Sequence, residues 1–247
     1  SVDAILSFLK NLKGVLKRHP FNLYSKYSKN SLRLSALYVI ALFALQQPKL
    51  KPFILKEANE IVNNFGGLKL QHGDSIWSMD SLAWLAFALH ISNPTDTRIS
   101  DIVKFLLTHV NEEAGTAHFI TSYTDKPESQ LVLLGSSRRT DAIILEMLCY
   151  ARPKTDLIPK LVKGLLAHRK KGRWGSTQEN AYCLIACQKY FTTFEKHTPN
   201  FVARMWLGGN YMGEAGFKGR TIEQKIVKVP MKILVPDPTI DEYTAQP

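Results

Sequence analysis

The sequence has no apolar run long enough to cross a bilayer. Its longest apolar stretches, Ala36–Leu45 and Ser81–Leu89, fall far short of the roughly 18 residues a spanning helix needs. Cysteine is scarce, with three in 247 residues, which excludes a disulfide-dense miniprotein. Charge is moderate at 21% against 45% hydrophobic residues, which excludes a disordered or collagen-like chain. There is no G-x-S-x-G elbow, no P-loop and no dinucleotide fingerprint. The histidines lack metal spacing: His109 and His118 lie nine apart across a loop, unlike a helix-borne zinc pair. No secretory signal opens the chain. Ser1 is not an initiating methionine, so this says nothing about export.

What is there begins with size and charge. A chain of this length buries a sizeable core without a disulfide or metal staple. Thirty-two basic against 21 acidic side chains leave a net charge of +11. Such a balance suits nucleic acid, an anionic membrane, acidic ligands or simply a soluble surface. The strongest basic run, His168-Arg169-Lys170-Lys171-Gly172-Arg173, has one adjacent aromatic, Trp174. A solvated helix end explains it better than a nucleic-acid interface. Cys183 and Cys187 are four apart and share a helix face. With Cys149 they sit among apolar residues and read as buried free thiols.

Hydrophobic periodicity predicts helices up to about residue 195, in two alternating kinds. Leu32–Leu45, Met79–Ile91, Ala142–Tyr150 and Ala181–Phe191 are apolar on nearly every face. Val2–Leu16, Phe53–Phe65, Ile99–Val110 and Leu157–His168 are amphipathic. Buried and exposed helices in alternation describe concentric rings of helical hairpins. The fold class expected is mainly α, an incomplete α/α toroid, with a short β-rich tail. Ala114–Gly135 is a long insertion, an ordered loop or short strands. The loops before the buried helices carry Gly, Ser, Thr or Asp, and Trp77 and Trp174 stand within two of them. Turns, caps and packing account for these residues without a ligand. After Pro199 the pattern changes. Phe201–Leu207 reads as a strand, Gly208-Gly209-Asn210 as a turn, and Ile226–Val235 as the second strand. The expected domains are 1–198, the toroid, and 199–247, a β segment.

The runs Arg139-Thr140-Asp141-Ala142, Leu157-Ile158-Pro159-Lys160-Leu161-Val162 and Gly172-Arg173-Trp174-Gly175-Ser176-Thr177-Gln178-Glu179-Asn180-Ala181 resemble the alpha-2-macroglobulin family. The similarity is to the second half of its thioester domain, where a W-x-x-T-Q motif opens a late buried helix. The tail Phe201–Thr221 is similar to the β region that follows this domain, especially in bacterial-type members. The resemblance implies an α/α toroid and a role in trapping peptidases. In that family a bait region is cut, the molecule changes shape and the prey is enclosed. It implies Thr140, Asp141, Trp174, Thr177, Gln178, Glu179 and Asn180 as family-motif residues with structural roles. It also implies sister domains and endopeptidases as partners, and an extracellular or periplasmic location. Many members carry a Cys–Gln thioester in C-x-E-Q. No cysteine here stands in that pattern, so no residue is carried over as catalytic and no cofactor or metal is expected.

Two other classes remain. Toroid enzymes acting on carbohydrates or isoprenoids use carboxylates at the ring mouth as acid and base. Asp74, Asp80, Glu128, Asp141 and Glu179 all precede or begin buried helices, where helix capping also places carboxylates. A deep central pocket with paired carboxylates distinguishes that reading. A stand-alone binding module with a basic surface is the other.

Overall fold

The computed structural model describes residues 26–70, 77–113, 115–121, 134–195, 198–219 and 225–229, with positions 4, 7 and 11. Ala4, Ser7 and Asn11 are helical. The rest of the expected Val2–Leu16 helix, Asp74, Glu128 and most of the 114–135 insertion lie outside the described residues. The chain divides into two compact units, Ser1–Phe194 and Glu195–Pro247.

In the first unit the described helices are α1 (Lys26–Ala44), a 3-10 turn (Pro48–Leu50), α2 (Lys51–Asn64), α3 (Met79–Ser92), α4 (Thr97–Leu107), α5 (Ser137–Ala151), α6 (Leu157–Ala167) and α7 (Thr177–Phe194). The protein is mainly α. The two helix types take two layers. α1, α3, α5 and α7 form an inner row in which each packs on the next. α2 packs on α1 and α3, α4 on α3, and α6 on α5, forming the outer layer.

Burial follows composition. In α3 every residue from Asp80 to Leu89 is buried, because no face is polar enough to meet water. In α4 only Ile99, Ile102, Val103 and Leu106 are buried, one stripe at helical spacing. Side-chain caps start α3, α4 and α5, as one also starts α7. Ser78 accepts from Ser81 N–H at 3.1 Å, Asp96 from Arg98 N–H at 3.0 Å, and Ser136 from Arg139 N–H at 3.2 Å.

Three expectations need correction. α1 and α7 are not buried all round: Val39, Phe43, Leu184 and Ile185 are exposed. Among the described residues each is an end member of the inner row, with one inner neighbour where α3 and α5 have two. The helix expected over Ile99–Val110 stops at Leu107. Val110 instead opens β1 (Val110–Glu113), which pairs antiparallel with β2 (Thr116–Phe119). In the second unit, β3 (Asn200–Leu207) pairs with the glycine-rich β4 (Asn210–Lys218), while 225–229 form no strand. The residues from 230 onward of the expected second strand lie outside the described set.

Gly213 explains part of that tail. Its φ is +144°, and a Cβ there would stand 3.0 Å from Val227 Cγ1. Val227 therefore lies against the ribbon at a position open only to glycine. Phe201 stacks on Phe217 at 5.0 Å across the ladder. Trp206 meets Tyr211 edge-on at 5.1 Å beyond a register shift at Met205/Trp206.

Candidate functional site

Two constellations gather the motif residues. The first lies at the start of α7. Trp174 N–H donates to Asn180 Oδ1 at 3.1 Å, and Asn180 Nδ2 donates back to Trp174 O at 3.1 Å and to Ser176 O at 2.6 Å. Ser176 Oγ accepts from Glu179 N–H at 3.2 Å, and Glu179 Oε2 accepts from Gly175 N–H at 2.7 Å. This is a variant of the capping box, with the glutamate reaching one residue further back than usual. Trp174 is buried, and its indole N–H donates to Leu165 O at 2.9 Å, which ties the knot to α6. The Arg169 guanidinium lies over the indole at 5.3 Å. Of the other two motif residues, Thr177 is exposed and Gln178 is half-buried in the first turn. The knot is built from Trp174, Glu179 and Asn180, with Ser176 as a fourth member.

The second constellation runs through the inner row. Arg139 and Thr140 both donate to the Asp80 carboxylate, so α5 grips α3 through a buried ion pair and a hydroxyl. The Arg139 guanidinium also lies over two neighbouring rings, Trp84 at 5.7 Å and Tyr182 at 5.9 Å. Asp141 Oδ1 accepts from Phe119 N–H at 2.8 Å, and Oδ2 lies 3.2 Å from Arg138. Asp141 thus pins β2 to α5. Burial raises its carboxyl to about 7, against the pull of Arg138 and of the Phe119 N–H.

Glu146 on α5 is a third polar member. Tyr38 OH donates to it at 2.6 Å from α1. Burial raises Glu146 to about 7, partly offset by the Tyr38 hydroxyl and Lys189. Lys189 Nζ sits 3.7 Å from the centre of the Tyr150 ring. Tyr38 contacts Phe87 at 5.2 Å and Tyr182 at 6.4 Å, and Phe87 contacts Tyr150 at 5.0 Å. Side chains of all four inner helices therefore meet around Tyr38, Phe87, Glu146 and Tyr182, with the carboxylates bonded to neighbours.

All three cysteines are free and buried. Burial raises the Cys149 thiol to about 12, the Cys187 thiol to about 11, and Cys183 upward as well. Each is protonated at neutral pH and is a poor nucleophile. Among the described residues no cluster of three or more His, Cys, Asp or Glu is placed to hold a metal. No helix among them is long and apolar enough to cross a membrane. His109 Nδ1 lies 3.1 Å from Phe105 O, and His168 Nδ1 lies 2.8 Å from Gly164 O, so both rings are engaged by their own helix ends.

Sequence reasoning missed Glu146, Arg139 as a buried ion, and Gly164. Glu146 had a signal, a carboxylate inside an otherwise apolar helix. Gly164 had one too, a glycine inside a helix. A Cβ there would stand 2.3 Å from Ala117 O, so the β2 backbone lies directly on α6.

No family model matches the chain. A stretch of 174 residues is 29% identical to the circularly permutated Ras protein 2 of Dictyostelium discoideum, covering 66% of this chain and 4% of that protein. A stretch of 101 residues is 33% identical to an alpha-2-macroglobulin homolog of Nostoc sp., covering 41% of this chain and 5% of that protein. The chain is thus similar to a segment of an alpha-2-macroglobulin homolog and spans a small fraction of the length of either relative.

Proposed function

We propose that this chain is a non-catalytic, thioester-domain-like part of an alpha-2-macroglobulin-like protein that contributes to broad peptidase trapping. The observation that carries the reading is how the motif residues are used. Trp174, Glu179 and Asn180 join α6 to α7, and Thr140 and Asp141 join α5 to α3 and to β2. These five motif residues tie elements together, which supports reading the domain as a scaffold that packs against sister domains. The similarity to the Nostoc homolog supports the same family.

In this reading the partners are sister domains of a longer polypeptide and the endopeptidases it meets. Its setting is extracellular or periplasmic. The carboxylate-pair reading has less behind it, because Asp80, Asp141 and Glu146 are each bonded to neighbours within the core. The Ras relative does not alter the proposal. The shared segment is 4% of that protein, as it is 5% of the Nostoc homolog, so the whole Ras protein's activity does not follow from it, and this sequence contains no P-loop to hold a nucleotide.

The test uses the natural full-length protein mixed with an endopeptidase such as trypsin. Cleavage of a large protein substrate is expected to fall while cleavage of a small chromogenic peptide persists, because an enclosed peptidase remains open to small molecules. Equal cleavage of the large substrate with and without the protein, across several endopeptidase classes, removes the trapping reading.

A further inference from the structure

A groove of about 370 Å³ opens on the outer layer between α4 and the loop that leads into α6. This falls in the range of small-molecule sites, roughly 300–1,000 Å³. Val103 and Leu107 of α4 line one side, and Leu148 and Ala151 at the end of α5 line the other. Val103 and Leu148 are buried at its base, and Leu107 is exposed at its rim. Arg152, Pro153, Lys154 and Thr155 complete the mouth.

The walls are aliphatic and the mouth is cationic. Arg152 is held by a hydrogen bond to Ser100 Oγ at 3.1 Å and one to Ala151 O at 3.3 Å. Neither contact is with a carboxylate, and among the described residues neither Arg152 nor Lys154 forms an ion pair. The Arg152 backbone is already engaged. Arg152 N–H bonds Leu148 O at 2.8 Å, and Thr155 N–H bonds Arg152 O at 3.1 Å. None of the lining residues belongs to a strand, so the groove has no open sheet edge on which a peptide main chain could add. What complements it is an apolar chain ending in an anion, free of main-chain hydrogen-bonding needs.

We infer that this groove binds an unbranched aliphatic carboxylate, a fatty-acid-like amphiphile. Its chain lies against Val103, Leu107, Leu148 and Ala151, and its carboxylate rests on Arg152 and Lys154. A guanidinium already oriented by Ser100 suits a carboxylate, since such charge-assisted bonds are shorter and stronger than neutral ones. The site is independent of the trapping proposal.

Decanoate below its micellar concentration is the probe, titrated calorimetrically into the intact protein, with 1-decanol and decyltrimethylammonium in parallel. Saturable decanoate binding is expected, with weaker decanol binding and none of the ammonium. Arg152→Glu and Lys154→Glu change exposed residues and are expected to leave the helical circular dichroism intact. Arg152→Glu is expected to weaken decanoate about tenfold or more, the cost of a lost charged hydrogen bond, and to leave decanol unchanged. Leu107→Asp at the rim is expected to weaken both; should it misfold, the two charge variants carry the test alone. The inference is overturned by non-saturable decanoate uptake, by equal binding of the ammonium, or by decanoate affinity indifferent to both charge reversals. Binding of an acidic apolar peptide without any binding of decanoate overturns it equally.

Discussion

Asn180 joins the loop and helix halves of the α7 cap through three bonds, so its loss leaves the part-buried Trp174 N–H and C=O without these partners. Asn180→Ala is expected to destabilise the protein by about 1–2 kcal/mol, the usual cost of a lost cap. Thr177→Ala, three residues away and exposed, should stay within about 0.5 kcal/mol. Urea denaturation of the two variants checks the contrast, and equal losses would mean the motif acts as a unit of another kind. Glu146 gives a pH prediction. Its folded-state carboxyl is raised from the ordinary 4.5 to about 7 by burial. The folded state therefore binds the extra proton, and this contribution to stability is lost as pH rises from about 4.5 through about 7. Glu146→Gln can still accept from Tyr38 but carries no charge. Relative to wild type it should grow more stable between pH 4 and pH 8, as read from thermal midpoints. A constant difference across that range would mean Lys189 neutralises Glu146 fully. At this scale the caps were legible, because Ser, Asp or Thr must precede a helix that needs one. The Tyr38–Glu146 bond was not, since 108 positions separate residues that only the inner row brings together.

Among the elements, Gly164 sets the distance between α6 and the β1–β2 hairpin. Gly164→Ala places a methyl carbon 2.3 Å from Ala117 O, and all three of its nearest neighbours are backbone atoms of Ala117. Destabilisation of about 1–3 kcal/mol, the cost of overpacking, is expected in chemical denaturation. Hydrogen exchange should show faster exchange at Phe119 N–H, and an unchanged rate there would mean the helix shifts instead of the hairpin. Alternating helices were legible because α3 has no polar face and α4 has one apolar stripe, and burial follows from that directly. The partner of β3 was misread for a physical reason. Glycine weakens a strand and removes the alternation by which strands are recognised, whereas Ile226–Val235 displays that alternation. What holds β4 is the cross-strand pairs Phe201–Phe217 and Trp206–Tyr211, which periodicity within one segment cannot reveal.

The whole molecule presents two compact units and a surplus of positive charge, and its cysteines bear on how a longer parent protein would behave. Cys149, Cys183 and Cys187 are buried and protonated, and none stands in a C-x-E-Q run. If methylamine opens a thioester in the natural full-length protein, the new thiol is expected to map outside this chain. Native-state thiol labelling followed by mass spectrometry checks this, and methylamine-dependent label on any of these three cysteines would refute it. Layering has a further consequence for how such a sequence drifts. A helix such as α3, with ten consecutive buried residues, offers almost no position where a change is neutral. α4, buried on a single stripe, tolerates exchange over most of its surface. Over long divergence the inner helices are expected to retain their identities while the outer ones lose theirs. Distant kin of this chain would then surface as separated islands of similarity, each one inner helix long, with the intervening segments beyond alignment.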